Sequence, residues 1–337
     1  MTLDLCYTTE RSAAAAATLP VGLALRIPTS PGGGQPDRGD SRRCMVEARP
    51  AFDLMTIGHF AKDIIVVDGV AEAAPGGGVY FGAMAARQQG LRIACVTRLY
   101  CDDFPMLDEL RDAGITVFAV GSQETSGIEN RYHSVDMERR TCIPLGFAGA
   151  FTIEDIPKAS ARIYVIASII AGEVDLPMLR QLATRGPVAL DIQGFVRVRE
   201  GSELVFRPWP EMAEGLKHVT YLKVDRAEAE MLTGLSDLPA AARRLAACGP
   251  REIVLTQSSG VTVFADGRTF QAPFTPRSLA GRTGRGDTCF ATYLGRRLSA
   301  GPEEATKLAA AVTTLKQERP GPWRGPLRDA EALMSTF

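Results

Sequence analysis

The stretch GRTGRGDTCF, residues 281–290, combines residue types that can do phosphate chemistry. Asp287 follows a glycine-rich turn and opens an apolar segment that is typical of a helix. Gly284 and Gly286 allow the backbone to turn its N–H groups inward, and a helix N-terminus favours negative charge, so this turn is suited to an anion. Phosphoryl transfer needs such N–H groups around the transferred group and a carboxylate beside the attacking hydroxyl. An ordinary capped helix after a glycine turn has the same pattern, so the stretch alone does not decide between the two interpretations.

The sequence from residue 51 onward predicts an α/β fold, which would hold this turn in place. Buried-strand candidates such as DLMTIGHF, PVALDIQG and EIVLTQ alternate with helical segments of about ten to fifteen residues. That alternation is typical of a doubly wound, mainly parallel sheet flanked by helices, which binds ligands at the carboxyl ends of its strands. The stretch ENRYHSVDMERRTCIP alternates without a helical period. It predicts exposed β structure in a small second sheet, with strands mainly within residues 60–145.

Composition argues against several classes of function. The chain has 337 residues, a net charge of −1 and 45% hydrophobic residues, enough to bury one large core or two smaller ones. The near-neutral charge gives no electrostatic footprint for nucleic acid or an anionic membrane, and no apolar run approaches the roughly 18 residues of a membrane span. The seven cysteines are scattered, which is typical of free thiols in a reducing cytosol. We expect a cytoplasmic protein without nucleic-acid or membrane partners.

The first fifty residues have a different composition from the rest. They contain a run of five alanines and the segment PTSPGGGQPDRGDSRR, which offers little to pack. We predict a disordered extension over residues 1–50, followed by a folded domain over residues 51–337. Asp4 and Glu10 stand where a secretory signal would be basic. A targeting peptide, a linker and an upstream start remain alternative interpretations of the extension.

The GRTGRGDTCF stretch resembles the C-terminal signature of the PfkB, or ribokinase-like, carbohydrate kinases. That signature is usually TGAGD followed by a Phe and a helix; here it reads Thr283-Gly284-Arg285-Gly286-Asp287, with Phe290 three residues on. Four more stretches resemble family elements in the same chain order: IGHFAKD with Asp63, PGGG with Gly76, Gly77 and Gly78, VDRAEAEMLTG with Asp225 and Glu228, and VLTQSSGVTVF with Thr256 and Gly260. Five elements in order over roughly residues 53–320 identify the chain as a family member far more specifically than any one alone.

The resemblance implies an ATP-dependent kinase with a ribokinase-like fold and a small β-sheet lid over the substrate. Asp287 would be the base that takes the proton from the acceptor hydroxyl, and the amides of residues 284–287 would form the anion hole. Asp63 and Gly76–Gly78 would bind the substrate hydroxyls. The residues implied for the nucleotide are Asp225, Glu228, Thr256, Gly260 and Thr283. Glu228, with Asp225, would position Mg²⁺ through water, because this ion tends to keep its waters. Closure of the lid would exclude water, and its exposed strands would pair in a homodimer.

Three positions depart from the family pattern. Gly281 stands where the family usually has Asp, Arg285 replaces the usual Ala between the two glycines, and Phe81 replaces an Asn. We favour a phosphate contact for Arg285, where a guanidinium would stabilise the transition state; the alternative is that it points to solvent. These departures also leave open a binding or regulatory protein that kept the fold and lost turnover.

The segment PVALDIQGFVRVRE favours one branch of the family. It places Asp191, Gln193 and Arg197 after a buried strand, and with the aromatic Phe81 it looks like the myo-inositol-kinase-like members. Gln193 and Arg197 offer donors to hydroxyl or phosphate oxygens. In the alternative, Arg197 pairs with Glu200 on the surface. We expect a small sugar or polyol as the acceptor, with a cyclitol such as myo-inositol favoured and a nucleoside as the alternative.

Overall fold

The computed structural model describes residues 50–133 and 136–337. The predicted disordered extension therefore lies outside the described residues, apart from its last position. The strands, in chain order, are β1 (Phe52–Ile57), β2 (Ala61–Val67), β3 (Val70–Gly76), β4 (Ile93–Tyr100), β5 (Thr116–Ser122), β6 (Gly127–His133), β7 (Asp136–Gly146), β8 (Ala161–Ile166), β9 (Val188–Asp191), β10 (Arg197–Glu200), β11 (Glu203–Phe206), β12 (Tyr221–Asp225), β13 (Glu252–Gln257), β14 (Gly260–Ala265) and β15 (Arg268–Pro273).

Helices lie in several of the connections between these strands and in the segment that follows β15. They are α1 (Gly78–Arg87), α2 (Asp108–Asp112), α3 (Leu176–Arg185), α4 (Gln193–Val196), α5 (Met212–Gly215), α6 (Arg226–Thr233), α7 (Leu238–Ala246), α8 (Arg285–Arg297), α9 (Pro302–Gln317) and α10 (Leu327–Met334). Short 3₁₀ turns cover Cys101–Leu107, Ile153–Asp155 and Leu216–His218. The segment FPMLDELRDAG is divided between the first of these turns and α2. Pro105 lies in the 3₁₀ part, where it has no N–H group to donate.

In the part of the chain that the structure describes, the main sheet has nine strands in the order β15-β14-β13-β12-β9-β8-β1-β4-β5. Each neighbouring pair from β13 to β5 is parallel, and β14 runs antiparallel to both its neighbours. The prediction of a doubly wound, mainly parallel sheet is confirmed. Because the strands are parallel, β9, β12 and β13 end at one edge of the sheet, and this edge carries Asp191, Asp225 and Thr256 at or near the strand ends.

Both faces of the main sheet are covered by helices. Successive residues of a strand point to opposite faces, so Leu54 of β1 belongs to the apolar cluster that includes residues of α1, α8 and α9. Met55 belongs to the cluster on the other face, which includes residues of α3 and α7. Each face buries a large apolar cluster, and such burial is the main favourable contribution to folding. α8 and α1 lie in the same cluster, which holds the glycine-rich turn before α8 close to the start of α1.

A second sheet of four strands, in the order β3-β2-β6-β7, lies outside the main sheet. Its middle pair, β2 and β6, is parallel, and the outer pairs are antiparallel. The segment ENRYHSVDMERRTCIP, predicted as exposed β structure, forms most of β6 and β7 in its described residues. This small sheet carries Asp63 in β2 toward the glycines that precede α1. In the described ranges, no helix is both long and apolar enough to cross a membrane.

Candidate active site

The turn before α8 is built around Gly284. This residue has a φ of 81°, in the left-handed region, and it caps α8 without a side-chain hydrogen bond. A Cβ at Gly284 would collide with the ring of Phe81, so only glycine fits both the conformation and the space. Helix geometry leaves the N–H groups of Gly286 and Asp287 without acceptors inside α8. These donors and the positive end of the helix suit the turn to a phosphate.

The carboxylate of Asp287 faces the start of α1. A Cβ built on Gly78 would lie 2.8 Å from Oδ1 of Asp287 and 2.8 Å from the carbonyl oxygen of Ala167. One turn further along α1, a Cβ on Gly82 would lie 3.3 Å from the Cβ of Ala291 in α8. The two glycines thus let α1 approach α8 closely enough to place its first residue against the Asp287 carboxylate.

A small cavity opens beside Asp287. Its walls are Thr56, Gly78, Gly82, Val165, Ala167, Asp191, Asp287, Phe290 and Ala291. Asp191, which follows the buried strand β9, therefore shares this cavity with Asp287. Their mutual repulsion contributes to a pKa of Asp191 above its ordinary value, after the larger effect of burial.

Lys223 lies between this cavity and the turn before α8. Its Nζ lies 3.0 Å from Oδ2 of Asp191 and 3.9 Å from Oε2 of Glu228, and all three side chains are buried. A Cβ built on Gly286 would lie 3.3 Å from the same Nζ. Burial alone would lower the pKa of Lys223, but the surrounding carboxylates, Asp191 first, hold it well above its ordinary value. A buried ammonium paired with Asp191 therefore lies next to the anion-binding turn.

Asp225 and Glu228 form a capping box at the start of α6. Asp225 N donates to Oε2 of Glu228 at 2.7 Å, and Glu228 N donates to Oδ1 of Asp225 at 2.8 Å. The other oxygen, Oε1 of Glu228, is buried and has no hydrogen-bond partner among the described residues. Burial raises the pKa of Glu228 to about 8, against the lowering effect of Lys223. One oxygen of this carboxyl is thus left available to a water molecule or to a hydrated cation.

The predicted substrate residues of the small sheet meet the glycines before α1. Oδ1 of Asp63 accepts a 2.8 Å hydrogen bond from Ile128 N, and the Asp63 carboxyl lies so close to Gly76 that a Cβ there would collide with it. Gly77 has a φ of 94°, and a side chain on it would collide with the carbonyl of His59. Through Gly76–Gly78 the structure brings Asp63 and Asp287 to the two ends of one short glycine segment.

Gln193 and Arg197 contact each other. Nη2 of Arg197 donates to Oε1 of Gln193 at 2.7 Å, and its guanidinium lies 5.8 Å from the centre of the Phe206 ring. Arg197 is buried, with 5% of its surface exposed, and Glu200 pairs with Arg207 instead, at 2.7 Å. The alternative of a surface pair between Arg197 and Glu200 is therefore wrong. The ligand-binding role of Gln193 and Arg197 stays a prediction.

The remaining predicted nucleotide residues divide into two groups. Thr256 is the last residue but one of β13 and pairs with Asp225 of β12. Its Oγ1 lies 4.0 Å from a Cβ built on Gly286, so it belongs to the cluster below the turn. Thr283 belongs to the turn itself. Gly260 starts β14, where a Cβ would lie 2.5 Å from the carbonyl oxygen of Ala272. Strand packing alone accounts for a glycine at that position.

Arg285 and Arg282 lie on the same turn. Arg285 is the first residue of α8 and is half-buried, and the guanidinium of Arg282 lies 5.7 Å from the centre of the Tyr132 ring in β6. The turn is therefore in contact with the small sheet. Both arginines add positive charge to the region where the helix N-terminus and Lys223 already favour an anion.

Sequence reasoning missed two lysines of this site. No sequence motif assigns a role to Lys223 or to Lys316. Each lysine stands in an element that is mostly buried. Lys223 is in the centre of β12, and Lys316 is in the C-terminal half of α9. Lysine is almost never fully buried unless it is paired, so each position implied a partner.

The fold and the site together define an α/β kinase in which a carboxylate lies beside an anion-binding helix N-terminus. The pattern of the pfkB family carbohydrate kinases matches residues 69–326, and the chain belongs to this family. It is similar to a solved pyrophosphate-dependent kinase of the ribokinase family in a sulfate complex, with 40% identity and a TM-score of 0.78 over 83% of this chain and 99% of that one.

Two further proteins show the range of relatives. A solved pyrophosphate-dependent kinase of the ribokinase family, complexed with a pyrophosphate analog and myo-inositol, is 39% identical over 83% of this chain and 99% of that one, with a TM-score of 0.77. A cytidine kinase from Thermococcus kodakarensis is 27% identical over 287 residues, which is 81% of this chain and 98% of that protein.

Proposed function

We propose that this protein transfers a phosphoryl group from pyrophosphate to a hydroxyl of a cyclitol such as myo-inositol. The observation that carries the proposal is the position of Asp287, whose carboxylate lies between the glycines on the acceptor side and the anion-binding turn. The relatives of 39–40% identity, described as pyrophosphate-dependent and in one case bound to myo-inositol, support the donor and the acceptor. The proposal changes the donor from the ATP that the family resemblance implied.

The reaction follows from the arrangement of charges. The oxygen of the acceptor hydroxyl forms a bond to phosphorus while Asp287 accepts the hydroxyl proton. The bridging P–O bond of the donor breaks in the same step. The products are a phosphate monoester and inorganic phosphate, and the proton leaves Asp287 for solvent. The N–H groups of Gly284, Gly286 and Asp287 stabilise the charge on the transferred group in the transition state.

The cations around the turn support pyrophosphate as the donor. Pyrophosphate offers only phosphate oxygens, so its binding depends on backbone N–H donors and on positive groups. Lys223 lies below the turn, Arg282 and Arg285 lie on it, and Lys316 is attached to it. Arg285 in particular replaces a small family residue with a guanidinium, which binds phosphate oxygens in a bidentate manner.

A divalent cation fits the residues of the capping box. Glu228 Oε1 is a buried acceptor without a partner among the described residues, and Asp225 lies beside it. These two residues would hold Mg²⁺ through water molecules. When bound, the ion would neutralise charge on the donor oxygens.

The acceptor side supports a polyhydroxylated ring. Asp63 supplies carboxylate oxygens that accept from hydroxyls, and the Gln193–Arg197 pair supplies donors. A nucleoside remains the second candidate, and the similarity to a cytidine kinase favours testing it. ATP is the second candidate for the donor.

The experiment is a matrix of donors and acceptors with the purified protein and Mg²⁺. Pyrophosphate and ATP are each combined with myo-inositol, ribose, cytidine and no acceptor, and the phosphorylated product is measured directly. We expect product from pyrophosphate and myo-inositol, reduced by about 10²- to 10⁴-fold in Asp287→Asn. Product only with ATP would overturn the proposed donor, and product only with cytidine the proposed acceptor. Binding of pyrophosphate without product from any pair would instead support the regulatory protein.

A further inference from the structure

Lys316 occupies an unusual position at the end of α9. Only 2% of its surface is exposed. Its Nζ donates hydrogen bonds to the backbone carbonyls of Gly281 and Thr283, both in the turn before α8. The same Nζ lies 4.9 Å from the centre of the Phe81 ring, within the range of a cation–π interaction.

Burial of the Lys316 ammonium has a large free-energy cost. Burial lowers the pKa of Lys316 to about 7, although Asp287 opposes the effect. Its hydrogen-bond acceptors in the described residues are two neutral carbonyls rather than a carboxylate. A buried charge without an ion-pair partner reduces stability relative to an apolar side chain of similar volume. Fold stability therefore does not account for a lysine here, and a role in the adjoining turn does.

The contacts of Lys316 determine how the turn is oriented. The C=O and N–H groups of a trans peptide unit point in opposite directions. Because the Thr283 carbonyl points to Lys316, the N–H of Gly284, in the same peptide unit, points away from α9. Gly284 also lies against the Phe81 ring, and Lys316 Nζ makes a cation–π contact with the same ring. One ammonium thus contacts both the peptide before Gly284 and the ring behind it.

We propose that Lys316 is a positioning residue that holds the anion-binding turn in its donor-binding orientation, with the Gly284 N–H directed at the phosphoryl donor. The assignment rests on the proposed phosphotransferase function and deepens it. Lys316 acts through the backbone of Gly281 and Thr283, and no direct contact with the donor is required. A preorganised N–H group of this kind is worth about 10²- to 10³-fold in rate.

The test compares three variants with the wild type. Lys316→Met keeps most of the side-chain volume without the charge, and Lys316→Ala leaves space for a small cation. Lys307→Ala removes a lysine of the same helix that is paired with Glu303 at 3.5 Å and lies outside the site. For each protein, kcat, the KM for the donor, the KM for the acceptor and the melting temperature are measured, with and without methylammonium.

We expect Lys316→Met to melt at or above the wild-type temperature while its kcat/KM for the donor falls about 100-fold. The KM for the acceptor should stay within about twofold, and methylammonium should restore activity to Lys316→Ala without affecting Lys307→Ala. Wild-type kinetics in a folded Lys316→Met would overturn the assignment. Failure of methylammonium to restore any activity would overturn the role of the charge.

Failure of the proposed function is a separate outcome. If the wild type transfers no phosphoryl group, the inference is tested by calorimetric binding of pyrophosphate. Weaker binding to Lys316→Met than to the wild type would then support the positioning role, and equal binding would overturn it.

Discussion

Oδ1 of Asp287 lies 2.8 Å from the point at which a Cβ on Gly78 would stand. The start of α1 can lie this close to the Asp287 carboxylate because residue 78 has no side chain. The N-termini of α1 and α8 meet at this point, and each brings a glycine to the contact: Gly78 faces the carboxylate, and Gly284 faces Phe81. The acceptor and the phosphoryl group would meet where these two helices begin.

Gly78→Ala should therefore impair catalysis. Its methyl group would displace the Asp287 carboxylate, and a shift of about 1 Å at a reacting group can reduce the rate about 100-fold. Gly301→Ala is a suitable control, since a Cβ there meets no atom within 4 Å. Steady-state kinetics should show a fall in kcat for Gly78→Ala and none for Gly301→Ala. Equal kcat values in the two variants would contradict this geometry.

Lys223→Met should destabilise the protein. Asp191 would lose the counter-ion that lies 3.0 Å from its Oδ2 while remaining buried, and breaking a buried ion pair from one side typically costs about 3–5 kcal/mol. Urea unfolding should reveal the loss. The double variant Lys223→Met/Asp191→Asn should recover part of it, because the unpaired carboxylate is removed. A double variant no more stable than the single one would argue against the ion pair.

Glu228 should make stability dependent on pH. Its pKa is raised by burial to about 8, so the folded protein binds this proton more tightly than the unfolded chain does. The favourable contribution is fully present below about pH 4.5 and is lost as the pH rises through 8. Glu228→Gln retains an oxygen that can accept from Asp225 N. Between pH 5 and pH 9 the melting temperature of the wild type should fall relative to this variant; a constant difference would mean that Glu228 does not titrate there.

Arg285→Ala should weaken binding of the phosphoryl donor and leave binding of the acceptor unchanged. If the guanidinium binds phosphate oxygens, its loss should raise the KM for pyrophosphate about tenfold, equivalent to ~1.4 kcal/mol. The KM for the acceptor should not change, since Arg285 lies at the start of α8 on the donor side. Initial rates at varied concentrations of each substrate measure both constants. An unchanged KM for pyrophosphate would favour the alternative in which Arg285 points to solvent.

The main sheet was predictable because its strands and helices have different hydrophobic periods. β3 was missed because its sequence, VAEAAPG, is rich in residues with low strand propensity, and it is a strand through its pairing with β2. The hairpin of β10 and β11 and the helix α10 were also missed. β10 and β11 have four residues each, too few for a period to be visible.

The site was also predictable only in part. Asp287 and the glycines of the turn could be recognised because they are adjacent in the chain. Lys223 and Lys316 lie about 60 and 30 residues from Asp287 in opposite directions, and only the fold brings them to it. Their contacts are made across parallel strands and between helices, which local sequence does not specify.

The packing of Gly281 restricts the routes by which this sequence can change. A Cβ at this position would collide with the backbone carbonyl of Arg319, so the aspartate that the family usually carries there cannot be restored by one substitution. Gly281 also offers its carbonyl to Lys316. Replacing Gly281 alone would strain the backbone at Arg319, and replacing Lys316 alone would remove its contact with the turn. Gly281→Asp alone should therefore destabilise the turn, whereas the same change made together with a rebuilt Arg319 segment could be accommodated.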